Sequence, residues 1–142
     1  KLFGDGDVGA SIATALPGTG IDLFVGIGGA PEGVISAAAL KCLEGEMQAR
    51  LVPMNEEEEA RCREMGLEDP RQLLMLDDLV SGDDAIFSAT GVSAGELLDG
   101  VKFLGGDLAE TYSIVMRYKT RTVRFIKTHH HLDHKPHLNL DI

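Results

Sequence analysis

The sequence predicts an α/β fold: a layered α/β sandwich with a mixed sheet and a C-terminal antiparallel hairpin. Three observations lead there. Helix-type and strand-type stretches alternate through the first two thirds of the chain. Glycines bound an apolar, β-rich run at 21–27. Two β-propensity runs near the end are separated by Lys119-Thr120-Arg121 alone. With 142 residues, 44% hydrophobic and 25% charged, the chain has room for one domain and enough apolar content to fold. No run approaches the roughly 20 apolar residues of a membrane-spanning helix. The net charge of −10 argues against nucleic acid or an anionic membrane surface as partner.

Each element has a local cause. Asp7 is placed to cap a short helix over 8–16, and Pro17-Gly18-Thr19-Gly20 makes a turn. The run at 21–27 reads as a strand buried on both faces, because its apolar residues are nearly continuous. Pro31 suits a first helical turn, an Ala-rich helix continues over 32–43, and Gly45 ends it. A short strand follows at 48–53. A helix at 56–65 opens with Glu56, Glu57, Glu58 and Glu59 at the positive end of its dipole, and Gly66 stops it. Further strands are expected at 73–76 and 85–90. Ser93-Ala94-Gly95-Glu96 matches a capping box, which predicts a short helical turn. The closing hairpin takes 111–118 and 122–128, and the tail from His129 reads as polar.

The chemistry concentrates in two loops. Gly26-Ile27-Gly28-Gly29-Ala30-Pro31-Glu32-Gly33 lies between a strand and a helix, where glycines admit close backbone approach and a helix N-terminus offers free N–H groups. Pro31 replaces the glycine a dinucleotide fingerprint needs, and no Gly-Lys-Ser/Thr follows, so neither nucleotide motif is met. A plain tight turn stays open as the alternative. Glu32 beside a phosphate site points to an intervening divalent cation, or else complements the helix dipole. Asp5 and Asp7, spaced by Gly6, can address a metal or sugar hydroxyls, although such pairs also occur in ordinary turns.

Other features carry less. His129, His130, His131, His134 and His137 crowd together, yet the HExxH glutamate is missing and Pro136 discourages a helix. Lys119, Arg121, Arg124 and Lys127 read as solvated strand positions. Cys42 and Cys62 lack metal or redox spacing and read as inert thiols. With no visible secretory signal, a cytoplasmic location is expected.

Taken in order, Gly4-Asp5-Gly6-Asp7-Val8, Gly28-Gly29-Ala30-Pro31-Glu32-Gly33-Val34 and Phe87-Ser88-Ala89-Thr90-Gly91 resemble class II (GlpX-type) fructose-1,6-bisphosphatase. The likeness extends through Ala60-Arg61-Cys62-Arg63-Glu64-Met65-Gly66 and covers the C-terminal part of that family's length. It implies the lithium-sensitive sugar-phosphatase fold, with residues 1–142 as its C-terminal domain and a missing N-terminal half as partner. It implies Mg²⁺- or Mn²⁺-dependent hydrolysis of the 1-phosphate of fructose 1,6-bisphosphate in gluconeogenesis, by a homo-oligomeric parent. Some members also take sedoheptulose 1,7-bisphosphate. By the family pattern Glu32 is a metal ligand, Asp5 and Asp7 bind the sugar phosphate, and Gly29 contributes its backbone. Similar enzymes carry most metal carboxylates and the phosphate-clamping residues upstream, so the 142-residue chain alone is expected to be inactive. The alternative is a non-catalytic sugar-phosphate-binding or regulatory domain.

Overall fold

The computed structural model describes Leu2 and residues 7–135; Asp5 and His137 lie outside the described residues. In chain order the elements are α1 (Asp7–Ala13), α2 (Ala30–Cys42), β1 (Gln48–Ala49), α3 (Glu56–Glu64), β2 (Leu74–Met75), α4 (Leu76–Leu79), β3 (Ile86–Thr90), β4 (Lys102–Gly105), β5 (Leu108–Arg117) and β6 (Thr122–His131). A single 3-10 turn follows at Leu132–His134.

β5 is the spine. One of its edges pairs along its full length with β6, and the other is shared by β3 and β4. Alternation along β5 turns Ile114 and Met116 to the helices, where both are fully buried. Ile12 of α1, Ala39 and Cys42 of α2, and Phe87 of β3 close over them. The opposite face is mixed, with Val115 and Ile126 beside a Thr90–Ser113 hydroxyl pair at 2.8 Å. The helices cover β3 and β5 but stop short of β6, so Phe125, which pairs with Ile114, is exposed.

The helices follow from their sequence. Gly29 caps α2 in extended backbone and Pro31 occupies its first turn. Ala10 and Ala13 of α1 and Ala37 and Ala39 of α2 are all buried, small enough to let the two helices approach closely. At its end, Glu44 takes the left-handed conformation (φ 58°) and Gly45 N–H donates to Leu40 O at 2.9 Å. Gly45 is therefore the residue beyond the left-handed one, and its hydrogen lets Leu40 and Ala15 close in. α3 is capped by Asn55, whose side chain accepts from Glu58 N–H, while Glu58 accepts from Met54 N–H in return.

Several expectations need correction. The sheet is antiparallel among the described residues, not mixed, because 21–27 forms no strand there and its Leu23, Val25 and Ile27 side chains face solvent. α1 ends at Ala13 rather than residue 16, and Asp7 is its first residue. The Thr14 and Thr19 hydroxyls donate to the Ser11 and Ala13 carbonyls and terminate it. Residues 93–96 form no helix. Gly95 N–H donates to Leu98 O and Val101 N–H to Val92 O, so the loop meets its own hydrogen-bonding needs. His129–His131 belong to β6 rather than to a tail, paired opposite Leu108–Glu110. The strands expected at 48–53 and 73–76 shrink to β1 and β2, which pair with each other, and β2 runs straight into α4.

Lys41 fixes α2 to α4. Its side chain is 6% exposed, and its ammonium lies 2.8 Å from Asp77 Oδ1 and 2.6 Å from Val80 O. It also lies over the Tyr118 ring at 5.2 Å. Lys41→Met keeps the aliphatic stem but abandons the Val80 carbonyl, and is expected to cost about 1–3 kcal/mol by urea unfolding. Asp77 is 82% exposed. Asp77→Asn should cost under about 1 kcal/mol, since its carboxylate gains little from pairing in water.

Candidate functional site

The site forms at the N-terminus of α2. No side chain caps that helix, and Pro31 has no N–H, so the backbone donors of Gly29, Ala30 and Glu32 are left for an external acceptor. The first intrahelical bond runs from Gly33 N–H to Gly29 O at 3.0 Å. Glu32, in the first turn, folds its carboxylate back over Gly29, with Oε2 in the place a β-carbon there would take. Asp7, at the start of α1, reaches the adjacent residue: its Oδ2 lies 3.1 Å from where a Gly28 β-carbon would be.

Two sequence-predicted residues, Asp7 and Glu32, are thus brought onto one glycine pair, together with Gly29 itself. Asp5 is outside the described residues. Glu32 and its neighbours from Gly28 to Pro31 are exposed, and no described cation pairs with Glu32. Two hard carboxylate oxygens donors of this kind suit Mg²⁺ or Mn²⁺ better than a soft metal. No group of three metal-ligating side chains occurs among the described residues.

Among the described residues the histidines form no metal centre. Strand geometry sends His129 and His130 to opposite faces. His129 Nε2 meets Glu110 at 2.9 Å, while His130 sits between Thr111 and Lys135. The basic residues of the hairpin hold it in place: Arg121 pairs with Glu44 at 2.8 Å and Lys127 with Glu110 at 2.7 Å. Asp84 is held by Arg117 and lies below the usual carboxylate range on that account. Cys42 is buried, its thiol 3.5 Å from Ala85 O, and burial pushes its pKa up, away from reactivity.

One polar cluster escapes a reading by local motif. Glu110 is buried on β5, where it accepts from Lys127, the Tyr112 hydroxyl and His129. Lys127, then Tyr112, are the main causes that bring its carboxyl down to about 2. The hairpin register is the signal that predicts it, because a turn at 118–121 sets 110 opposite 129 and 112 opposite 127.

The chain is a member of a phosphatase family. A family model described as bacterial fructose-1,6-bisphosphatase, glpX-encoded, matches residues 1–130, and the chain belongs to that family. Among its relatives is a D-fructose 1,6-bisphosphatase class 2/sedoheptulose 1,7-bisphosphatase of Synechococcus sp. (strain JA-3-3Ab). It is 43% identical over 145 residues, covering 94% of this chain and 42% of the relative. The fructose-1,6-bisphosphatase 1 class 2 of Escherichia coli (strain K12) is 43% identical over 144 residues, covering 92% of this chain and 42% of its own length. The chain therefore spans well under half the length of these curated relatives. No helix among the described residues is long and apolar enough to cross a membrane.

Two predictions follow from this geometry. Gly29 has φ −66° and ψ 149°, which alanine adopts freely, so Gly29→Ala should displace the Glu32 carboxylate and leave the backbone alone. Circular dichroism should show unchanged helix content and a Tm within about 2 °C of the parent. Glu110, lowered on folding to about 2 from an ordinary 4.5, stabilises the fold fully above pH 4.5 and loses that contribution as pH falls towards 2. Thermal melts of Glu110→Gln should accordingly lie below the parent at neutral pH, with the gap closing between pH 4.5 and 2.

Proposed function

We propose that this chain is part of a class II fructose-1,6-bisphosphatase, which hydrolyses the 1-phosphate of fructose 1,6-bisphosphate to fructose 6-phosphate and phosphate in gluconeogenesis. The observation that carries the reading is the meeting of Asp7 and Glu32 on Gly28–Gly29 at an uncapped helix N-terminus, in a member of this family. We further infer that the α and β layers belong to a fold of the lithium-sensitive sugar-phosphatase type, in a cytoplasmic enzyme.

In this reading the N–H groups of Gly29, Ala30 and Glu32 donate to phosphoryl oxygens, and the positive end of α2 favours their charge. Asp7, with Asp5, accepts hydrogen bonds from sugar hydroxyls and orients the ring. Glu32 is the hard-oxygen donor to the divalent ion. When bound, Mg²⁺ or Mn²⁺ neutralises developing charge on the phosphoryl group and lowers the pKa of an attacking water. The bare glycine backbone lets the phosphate approach these groups, which a β-carbon at either position would obstruct.

The decisive experiment uses an enzyme of the relatives' full length carrying this chain. Glu32→Gln keeps the side chain's shape and removes its charge, and should lower kcat/KM for fructose 1,6-bisphosphate by at least about a hundredfold. An unchanged kcat/KM overturns the metal role. Substrate binding without turnover in the unsubstituted enzyme would favour the non-catalytic sugar-phosphate-binding or regulatory reading. The 142-residue chain by itself should show no Mg²⁺-dependent release of phosphate.

A further inference from the structure

With seven residues, α1 is too short to keep its own helical shape in water, so its place is set by what packs on it. α2 closes one side through the buried Ala10 and Ala13. The loop between β3 and β4 reaches the first turn, where the Leu97 β-carbon lies 3.7 Å from the place a Gly9 β-carbon would take. Residues two apart stand on nearly opposite sides of a helix. Asp7 therefore meets Gly28 on one side of this turn while Leu97 bears on the other. We propose that Leu97 is a positioning residue for the candidate site: seated on Gly9, it holds the first turn of α1 where the Asp7 carboxylate meets Gly28, and so sets the hold on the sugar. This role rests on the reading of Asp7 as a ligand of the sugar.

The loop that carries Leu97 has a fixed place on the sheet. Gly91 N–H donates to Tyr112 O at 2.9 Å, tying the start of the loop to β5. Val101 N–H donates to Val92 O at 3.1 Å and closes its neck, and Gly95 N–H donates to Leu98 O at 3.0 Å within it. The two sides approach so closely that a β-carbon at Gly100 would come within 2.7 Å of the Ser93 and Ala94 backbone. Leu97 and Leu98 are both half-buried, and both pack against the core. Leu98 lines a groove with Tyr112 and Phe125, whereas Leu97 is set against α1. The two site carboxylates thus have separate supports. Asp7 is braced from β5 through Leu97, and Glu32 rides on α2, which Lys41 ties to Asp77 and Val80.

The test uses an enzyme of the relatives' full length carrying this chain. Fructose 6-phosphate binding is read by calorimetry, and the Mg²⁺ concentration for half-maximal activity is read separately. Leu97→Ala should weaken fructose 6-phosphate binding about tenfold, as a small displacement of a ligand group does. The Mg²⁺ requirement should stay within about twofold, because Glu32 shares no partner with Leu97. Leu98→Ala, a comparable loss of packing, should change neither quantity by more than about twofold. Leu97→Met refills the space and should return binding to within about twofold of the unsubstituted enzyme. In an Asp7→Asn background, Leu97→Ala should add less than about twofold, since the carboxylate it positions is already gone. Unchanged binding in Leu97→Ala overturns the proposal, as does an undiminished further loss on top of Asp7→Asn. An equal loss in Leu98→Ala, or a parallel rise in the Mg²⁺ requirement, overturns it too, as the mark of general loosening. If circular dichroism shows that Leu97→Ala does not fold, Leu97→Val carries the same comparison with a smaller loss. Binding left unchanged by Asp7→Asn overturns the sugar-ligand role of Asp7 itself; weakened binding there with an unaffected Leu97→Ala overturns the positioning role alone.

Discussion

The structure depends on how α2 is held. Its last turns are buried and tied on three sides: Lys41 to Asp77 and the Val80 carbonyl, Cys42 to Ala85 O and the core, and Glu44, just beyond, to Arg121 of the hairpin turn. Residues 30–35, in contrast, are mostly exposed. A helix is stiff along its length, so anchoring one end fixes the direction in which the other projects. The glycine turn and Glu32 are carried on that projecting end, away from the hydrophobic core. The core thus sets the position of the site while contributing no side chain to it.

Much of this could be read from local sequence where one local cause acts. Gly29 and Pro31 mark the start of α2, and Asn55 with the glutamates after it marks α3. Reading failed where a competing interaction wins. The capping-box pattern at Ser93–Glu96 is overridden because Gly91 and Gly100 let the loop fold on itself, with Gly100 against the backbone of Ser93 and Ala94. β4 has four exposed residues and no alternation to betray it; its pairing with β5 makes it a strand. His129–His131 look polar and terminal, yet ten paired positions along β5 extend β6 through them. These are effects of long-range pairing, which a window of neighbouring residues does not contain.

The candidate site divides in the same way. Glu32 beside the glycines is a local pattern, legible from sequence and resemblance. That Asp7 reaches Gly28 is a consequence of α1 packing on α2 through alanines, so the convergence is tertiary. The Glu110 cluster is intermediate: no motif announces it, but the hairpin register places every member. It also shows how an acidic chain uses its few cations. Lys41, Arg117, Arg121 and Lys127 each meet a carboxylate of the fold, and none is spent at the glycine turn.

That distribution of charge bears on the chemistry. The glycine turn offers backbone donors and two carboxylates, and among the described residues no cationic side chain is paired there. Backbone N–H groups and a helix dipole together amount to a fraction of one positive charge, too little on their own to hold a multiply charged anion against two carboxylates. On the proposed reading, the divalent ion supplies the balance of positive charge. The segment 21–27 delivers the turn and exposes Leu23, Val25 and Ile27 on the same stretch.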